Sequence, residues 1–114
     1  MHLLAQQNIS ATPKTAIKLT SLEQAELSVQ VPNWEVIVAK GTETLGRVFK
    51  VRNFVAAMEF ANQISIIAEQ GDHHPALLIE WGGVTVTWWS HSIGGLHLND
   101  FVMAAKTDEI YSAL

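Results

Sequence analysis

Four of the five histidines, His73, His74, His91 and His97, fall in the second half of the chain, at loops or at the ends of expected elements. The fifth, His2, lies in a polar N-terminal stretch and is set aside. An imidazole with its ordinary pKa of about 6.5 exchanges protons near neutral pH, so a histidine cluster suggests acid–base chemistry. His73 and His74 are adjacent and followed by Pro75, which fixes its own φ and restricts the residue before it. That stiffness suits a loop that aims two rings in defined directions. A single loop histidine is more often solvated, or caps a helix C-terminus as a cation. Here His73, His74 and His91 keep company with Glu69, Asp72 and the tryptophans Trp81, Trp88 and Trp89, and the combination argues for a site.

Other uses of these residues are weaker. Neighbouring side chains on an extended loop diverge, so His73 and His74 are poorly placed to share one ion. No His-x-His or His-x-x-x-His pair occurs among His73, His74 and His91, and there is no thiolate, so no metal site is expected. Ser90 precedes His91 without a nucleophile-elbow pattern, and Gly94-Gly95 has no phosphate-loop spacing. Proton transfer by imidazoles beside carboxylates fits better. Trp89 shares strand parity with His91 and can wall or stack on a flat heterocycle, whereas Trp88 shares parity with Val84 and Val86 and reads as core.

Composition narrows the classes further. The 114 residues are 48% hydrophobic and 16% charged, with Lys+Arg 7 against Asp+Glu 11, a formal charge of −4, no cysteine and four tryptophans. Disorder, disulfide frameworks and cysteine nucleophiles are excluded. Nothing here could neutralise a run of phosphates, so no nucleic-acid partner is expected. No apolar stretch is long enough to span a bilayer and no export signal is visible, so a cytoplasmic location is expected. The low charge of a chain this short implies leftover apolar surface and self-association.

The elements that must position the histidines read as follows. Residues 1–19 form a flexible tail, and residues 20–114 form one domain. Thr20-Ser21-Leu22-Glu23 is a capping box for a short helix through about Val29. Strands over 34–38 and 45–51 flank the turn residues Lys40-Gly41-Thr42-Glu43. Asn53 caps the longest helix, Phe54 to about Gln70, with Phe54, Ala57, Met58, Ala61, Ile64 and Ala68 on one face. Phe60 and Ile67 widen that arc, so the helix is either deeply buried or also forms a subunit interface. A third strand over 77–81, a Gly82-Gly83 turn and a fourth strand over 84–90 make a second hairpin. Asn99 caps a last helix from Asp100 to about Ala113, with Phe101, Ala104, Ala105 and Ile110 on its apolar side. The expected fold is α+β, in the order α-β-β-α-β-β-α. A four-stranded, mostly antiparallel sheet carries helices on one face.

These residues resemble the pterin-4a-carbinolamine dehydratase family, and most closely the bacterial branch associated with phenylalanine hydroxylase. The resemblance rests on Asp72-His73-His74-Pro75, the run Val84-Thr85-Val86-Thr87-Trp88-Trp89-Ser90-His91, Gly95-Leu96 and Asn99-Asp100. Upstream, Leu19-Thr20 with Glu23, Pro32-x-Trp34 and Phe49-x-Val51-x-Asn53-Phe54 extend it over about residues 19–111. It implies dehydration of 4a-hydroxytetrahydropterin to quinonoid dihydropterin, in tetrahydropterin recycling, with no metal or organic cofactor. It also implies a homodimer or homotetramer and an aromatic amino-acid hydroxylase as functional partner. His73, His74 and His91 match the active histidines, with His73 and His91 favoured for proton transfer and His74 for pterin binding. Which imidazole is acid and which is base is left open. Glu69 and Asp100 match family carboxylates, and with Asp72 and Trp89 they complete the expected substrate contacts. Two positions depart from the pattern: Asn99 replaces an arginine common in animal members, and Ser92 replaces an acidic residue. His97 has no matched role and reads as a loop surface residue. The same resemblance implies an alternative, a non-enzymatic partner-binding or assembly protein on the same scaffold.

Overall fold

The computed structural model describes residues 3–114, so His2 lies outside the described residues. After a 3-10 turn at Leu4–Gln6, the elements are α1 (Ser21–Ser28), β1 (Glu35–Ala39), β2 (Thr42–Lys50), α2 (Phe54–Gly71), β3 (Ala76–Glu80), β4 (Gly83–Trp88) and α3 (Leu98–Ser112). The expected order is the observed one. The sheet runs β1-β2-β4-β3 with every neighbouring pair antiparallel. Thr20 caps α1 through the reciprocal bonds that its spacing to Glu23 predicts. Those bonds also hold the exposed Glu23 carboxyl below its ordinary pKa.

Strand parity decides what is buried. Val84, Val86 and Trp88 on β4, with Leu45 and Phe49 on β2, turn into one core. Ala57, Phe60, Ile64 and Ala68 of α2 and Phe101, Val102 and Ala104 of α3 close that core from above. Two ties fix α3 against the sheet. Trp88 Nε1–H donates to Thr107 Oγ1 at 3.2 Å, and Asp108 Oδ1 accepts from Trp34 Nε1 at 2.8 Å and Arg47 Nη1 at 2.6 Å. Burial raises the Asp108 pKa, opposed by those same two partners.

Four local expectations are corrected. The β1–β2 hairpin turns on two residues, Lys40 (φ 51°) and Gly41 (φ 79°), rather than on four; two positive φ values match the strands' right-handed twist. The second hairpin turns at Trp81-Gly82, one residue early, because Gly83 already pairs with Glu80 and Lys50. Neither glycine there uses a positive φ. On α2, Phe54 and Met58 are 49% and 38% exposed, so the buried arc is narrower than the apolar one and centres on Phe60 and Ile64. The cap of α3 is His97, not Asn99: the His97 ring accepts from Asn99 N, and Asp100 reaches back to the His97 N–H.

The N-terminal segment lies against the rest of the domain. Leu4 is buried beside α3, and Lys106 Nζ donates to Ala5 O at 2.9 Å. Ile9 approaches Gly71 so closely that a Cβ there would stand 2.8 Å from its Cγ1. Leu19 N donates to Leu96 O at 2.9 Å.

Candidate active site

The site lies where α2 ends, β4 ends and α3 begins. Asp72 takes the left-handed conformation (φ 46°) that stops α2, and its N–H bonds the carbonyls of Ala68 and Glu69. The chain then turns into the extended His73-His74-Pro75 run, and the two rings part as adjacent extended side chains must. His73 goes inward. It is buried, its Nε2 lies 2.6 Å from Asp100 Oδ1, and its ring stacks over Trp88 at 5.7 Å and 6°. A carboxylate only accepts, so the proton of this hydrogen bond belongs to His73 Nε2. His74 goes outward and bonds Glu69 Oε2 one helical turn back, both groups being exposed.

Asp100 is held on every side. Its Oδ2 accepts from Ser90 Oγ–H at 2.8 Å and from the His97 N–H at 2.9 Å, while Oδ1 faces His73. Ser90 continues the inward parity of Val84, Val86 and Trp88, a signal in the sequence that its reading as an unlikely nucleophile passed over. His97 is therefore more than a surface residue. Burial lowers its pKa, the Asp100 carboxylate pulls the other way, and His73 adds to the lowering.

Asp72, His73, His74, His91 and Ser92 line one cavity of about 260 Å³ together with Ala11 and Thr12. The three expected histidines thus share one space. His91 is exposed and its ring stacks on Trp89 at 4.3 Å, as their shared parity predicts. Glu69 and Asp100 stand behind His74 and His73 respectively. Trp81 is corrected: it lies in the β3–β4 turn, 70% exposed, at the far end of the hairpin from the histidines. Ala11 and Thr12 come from the segment whose lack of periodicity concealed them. Ser92 and Asn99, where the chain departs from the family pattern, both bond that segment: Ser92 Oγ–H donates to Thr12 O, and Asn99 Nδ2–H to Ser10 O. Among the described residues no group of three or more His, Cys, Asp or Glu side chains is placed to hold a metal ion. No helix among them is long and apolar enough to cross a membrane.

The arrangement offers two imidazoles held by carboxylates and a third backed by an indole, all around one small space. Such a set can give a proton at one atom of a bound molecule and take one at another.

Comparison with known proteins places the chain among dehydratases. The family model described as Pterin 4 alpha carbinolamine dehydratase matches residues 17–110. A Marinobacter nauticus protein named pterin-4-alpha-carbinolamine dehydratase is 51% identical over 111 residues, covering 97% of this chain and 100% of the relative. The crystal structure of a transcriptional coactivator/pterin dehydratase from Brucella melitensis superposes with a TM-score of 0.76 at 33% identity. That likeness covers 83% of this chain and 99% of the other. Fold and sequence similarity converge, and the chain belongs to the pterin-4a-carbinolamine dehydratase family of hydro-lyases.

Proposed function

We propose that this protein dehydrates 4a-hydroxytetrahydropterin to quinonoid dihydropterin at the His73–His74–His91 cavity, within tetrahydropterin recycling. The observation that carries the reading is the convergence of three histidines on one space, with His73 and His74 each held by a carboxylate. In the reaction one imidazole gives its proton to the 4a-hydroxyl, and the C4a–O bond breaks with release of water. The N5 lone pair forms the C4a=N5 double bond, and the N5 proton passes to a second base, so atoms and charge balance. His73 and His91 move the protons. His74, tethered to Glu69, binds the pterin, with Asp72 beside it and Trp89 backing His91. The cavity is at the small end for ligand sites, which suits a bicyclic ring head with its side chain outside.

Stopped-flow absorbance on freshly generated 4a-carbinolamine tests the reading. The purified protein should accelerate quinonoid formation well above the spontaneous rate; a rate that never exceeds it leaves the partner-binding alternative.

The outward stripe of α2 supports an oligomer. Val55, Met58 and Ile66 are all exposed on one side of that helix, with Glu59 and Asn62 between them, and exposed apolar side chains on one face favour a second copy of the chain. Light scattering should give a dimer or tetramer mass, and a monomer at micromolar concentration would refute this part. An aromatic amino-acid hydroxylase upstream and a cytoplasmic setting complete the proposal, since the substrate is a by-product of that hydroxylation.

A further inference from the structure

The N-terminal segment lies outside the residues the family model matches, yet it reaches the candidate site at its most constrained point. Thr12 is buried although it belongs to no helix or strand. Its Oγ1 accepts from Asn99 Nδ2–H at 3.0 Å and lies 3.1 Å from Ser90 Oγ. Ser90 has one hydroxyl proton, and it is directed at Asp100 Oδ2; the proton between the two hydroxyls therefore comes from Thr12. The donors thus point in one direction, from the Asn99 amide to Thr12, to Ser90, to Asp100, whose other oxygen holds His73. The segment is pinned on both sides of Ala11. Asn99 Nδ2–H also donates to Ser10 O at 2.9 Å, Ser92 Oγ–H donates to Thr12 O at 2.9 Å, and Ile9 fills the space that a side chain at Gly71 would need. Ala11, exposed between these anchors, lines the cavity.

We propose that residues 11–12, anchored through Ile9 and Ser10, are a built-in part of the pterin site, with Ala11 a wall that sets which pterins enter and Thr12 a positioning residue for His73. Thr12 acts through Ser90 and Asp100: its hydroxyl fixes the direction of the Ser90 proton, and so the oxygen of Asp100 left to orient the His73 ring. This rests on the dehydratase reading of the cavity.

Three full-length variants test it. Thr12→Val keeps the shape and removes the hydroxyl, while Asn99 retains Ser10 O. It should lower kcat about five-fold, the scale of one lost hydrogen bond, with KM changed less than about two-fold. Thr12→Ser should restore kcat. Ala11→Leu should raise KM several-fold for a pterin with a bulky 6-substituent and less for a 6-methyl pterin. A second readout needs no turnover: the His73 Nε2–H proton resonance should move in Thr12→Val and return in Thr12→Ser. If wild-type protein dehydrates the carbinolamine while Thr12→Val and Ala11→Leu match its kcat and KM, the proposal is overturned and the dehydratase reading stands. If wild-type protein shows no turnover, the dehydratase reading falls and takes the Ala11 wall with it; an unmoved His73 resonance then removes the positioning role too.

Discussion

His73 and His74 are neighbours in the chain and each meets a carboxylate, yet the two pairs occupy opposite environments. In His73–Asp100 the side chains are 5% and 0% exposed; in His74–Glu69 they are 53% and 78% exposed. The difference follows from the extended backbone, which sends adjacent side chains to opposite sides, and from where each partner originates. Asp100 is in the first turn of α3 and packs into the core, whereas Glu69 lies on the open face of α2, in its last turn. In low dielectric a hydrogen-bonded pair is strong and costly to break, while an exposed pair is screened and contributes little. One histidine is therefore fixed, while its neighbour is held by a pair weak enough to yield to a ligand.

Substitution of the two carboxylates should separate these roles. Asp100→Asn replaces one of the two accepting oxygens by an NH2, so the His73 ring loses its acceptor or must change tautomer. It should lower turnover by about ten-fold or more and stability by about 1–3 kcal/mol, measured by stopped flow and denaturant titration. Glu69→Gln should change stability by less than about 0.5 kcal/mol and turnover by no more than about three-fold. Equal effects from the two would show that burial does not distinguish the pairs.

The smallest expected effect is on pH dependence. Burial depresses the folded-state pKa of His97 below its unfolded value of about 6.5, so the unfolded chain binds this proton more readily. Its contribution to stability is then present above about pH 6.5 and lost as pH falls through the folded pKa. Tm should drop between about pH 7.5 and about pH 5.5, and less steeply in His97→Asn, which keeps a capping side chain. Parallel slopes would place the acid sensitivity elsewhere.

Much of this contrast was legible in the sequence, because it depends on period and spacing. The capping box at Thr20, the Asn53 cap and the alternation through Val84, Val86 and Trp88 are local rules, and the structure keeps them. Local rules also gave the divergence of His73 and His74 and the shared face of Trp89 and His91. What escaped depends on contacts distant in sequence. Thr12 meets Ser90 across 78 residues and Asn99 across 87, and nothing periodic marks a segment held by single hydrogen bonds. Trp81 escapes the same rules: nearness in sequence to the histidines is undone by a hairpin whose turn stands a full strand's length from them. The α3 cap moved from Asn99 to His97 because either side chain can accept at a helix start, and the position of Asp100 decided between them.

The central claim is that the fixed histidine moves a proton of the substrate. The most direct test is the dehydration rate of 4a-carbinolamine by His73→Ala, beside wild-type protein, with Tm recorded for both. A fall of about 10²-fold or more in the folded variant is the predicted result, the usual scale of general acid–base catalysis. A rate within about two-fold of wild type in a folded His73→Ala protein would contradict it.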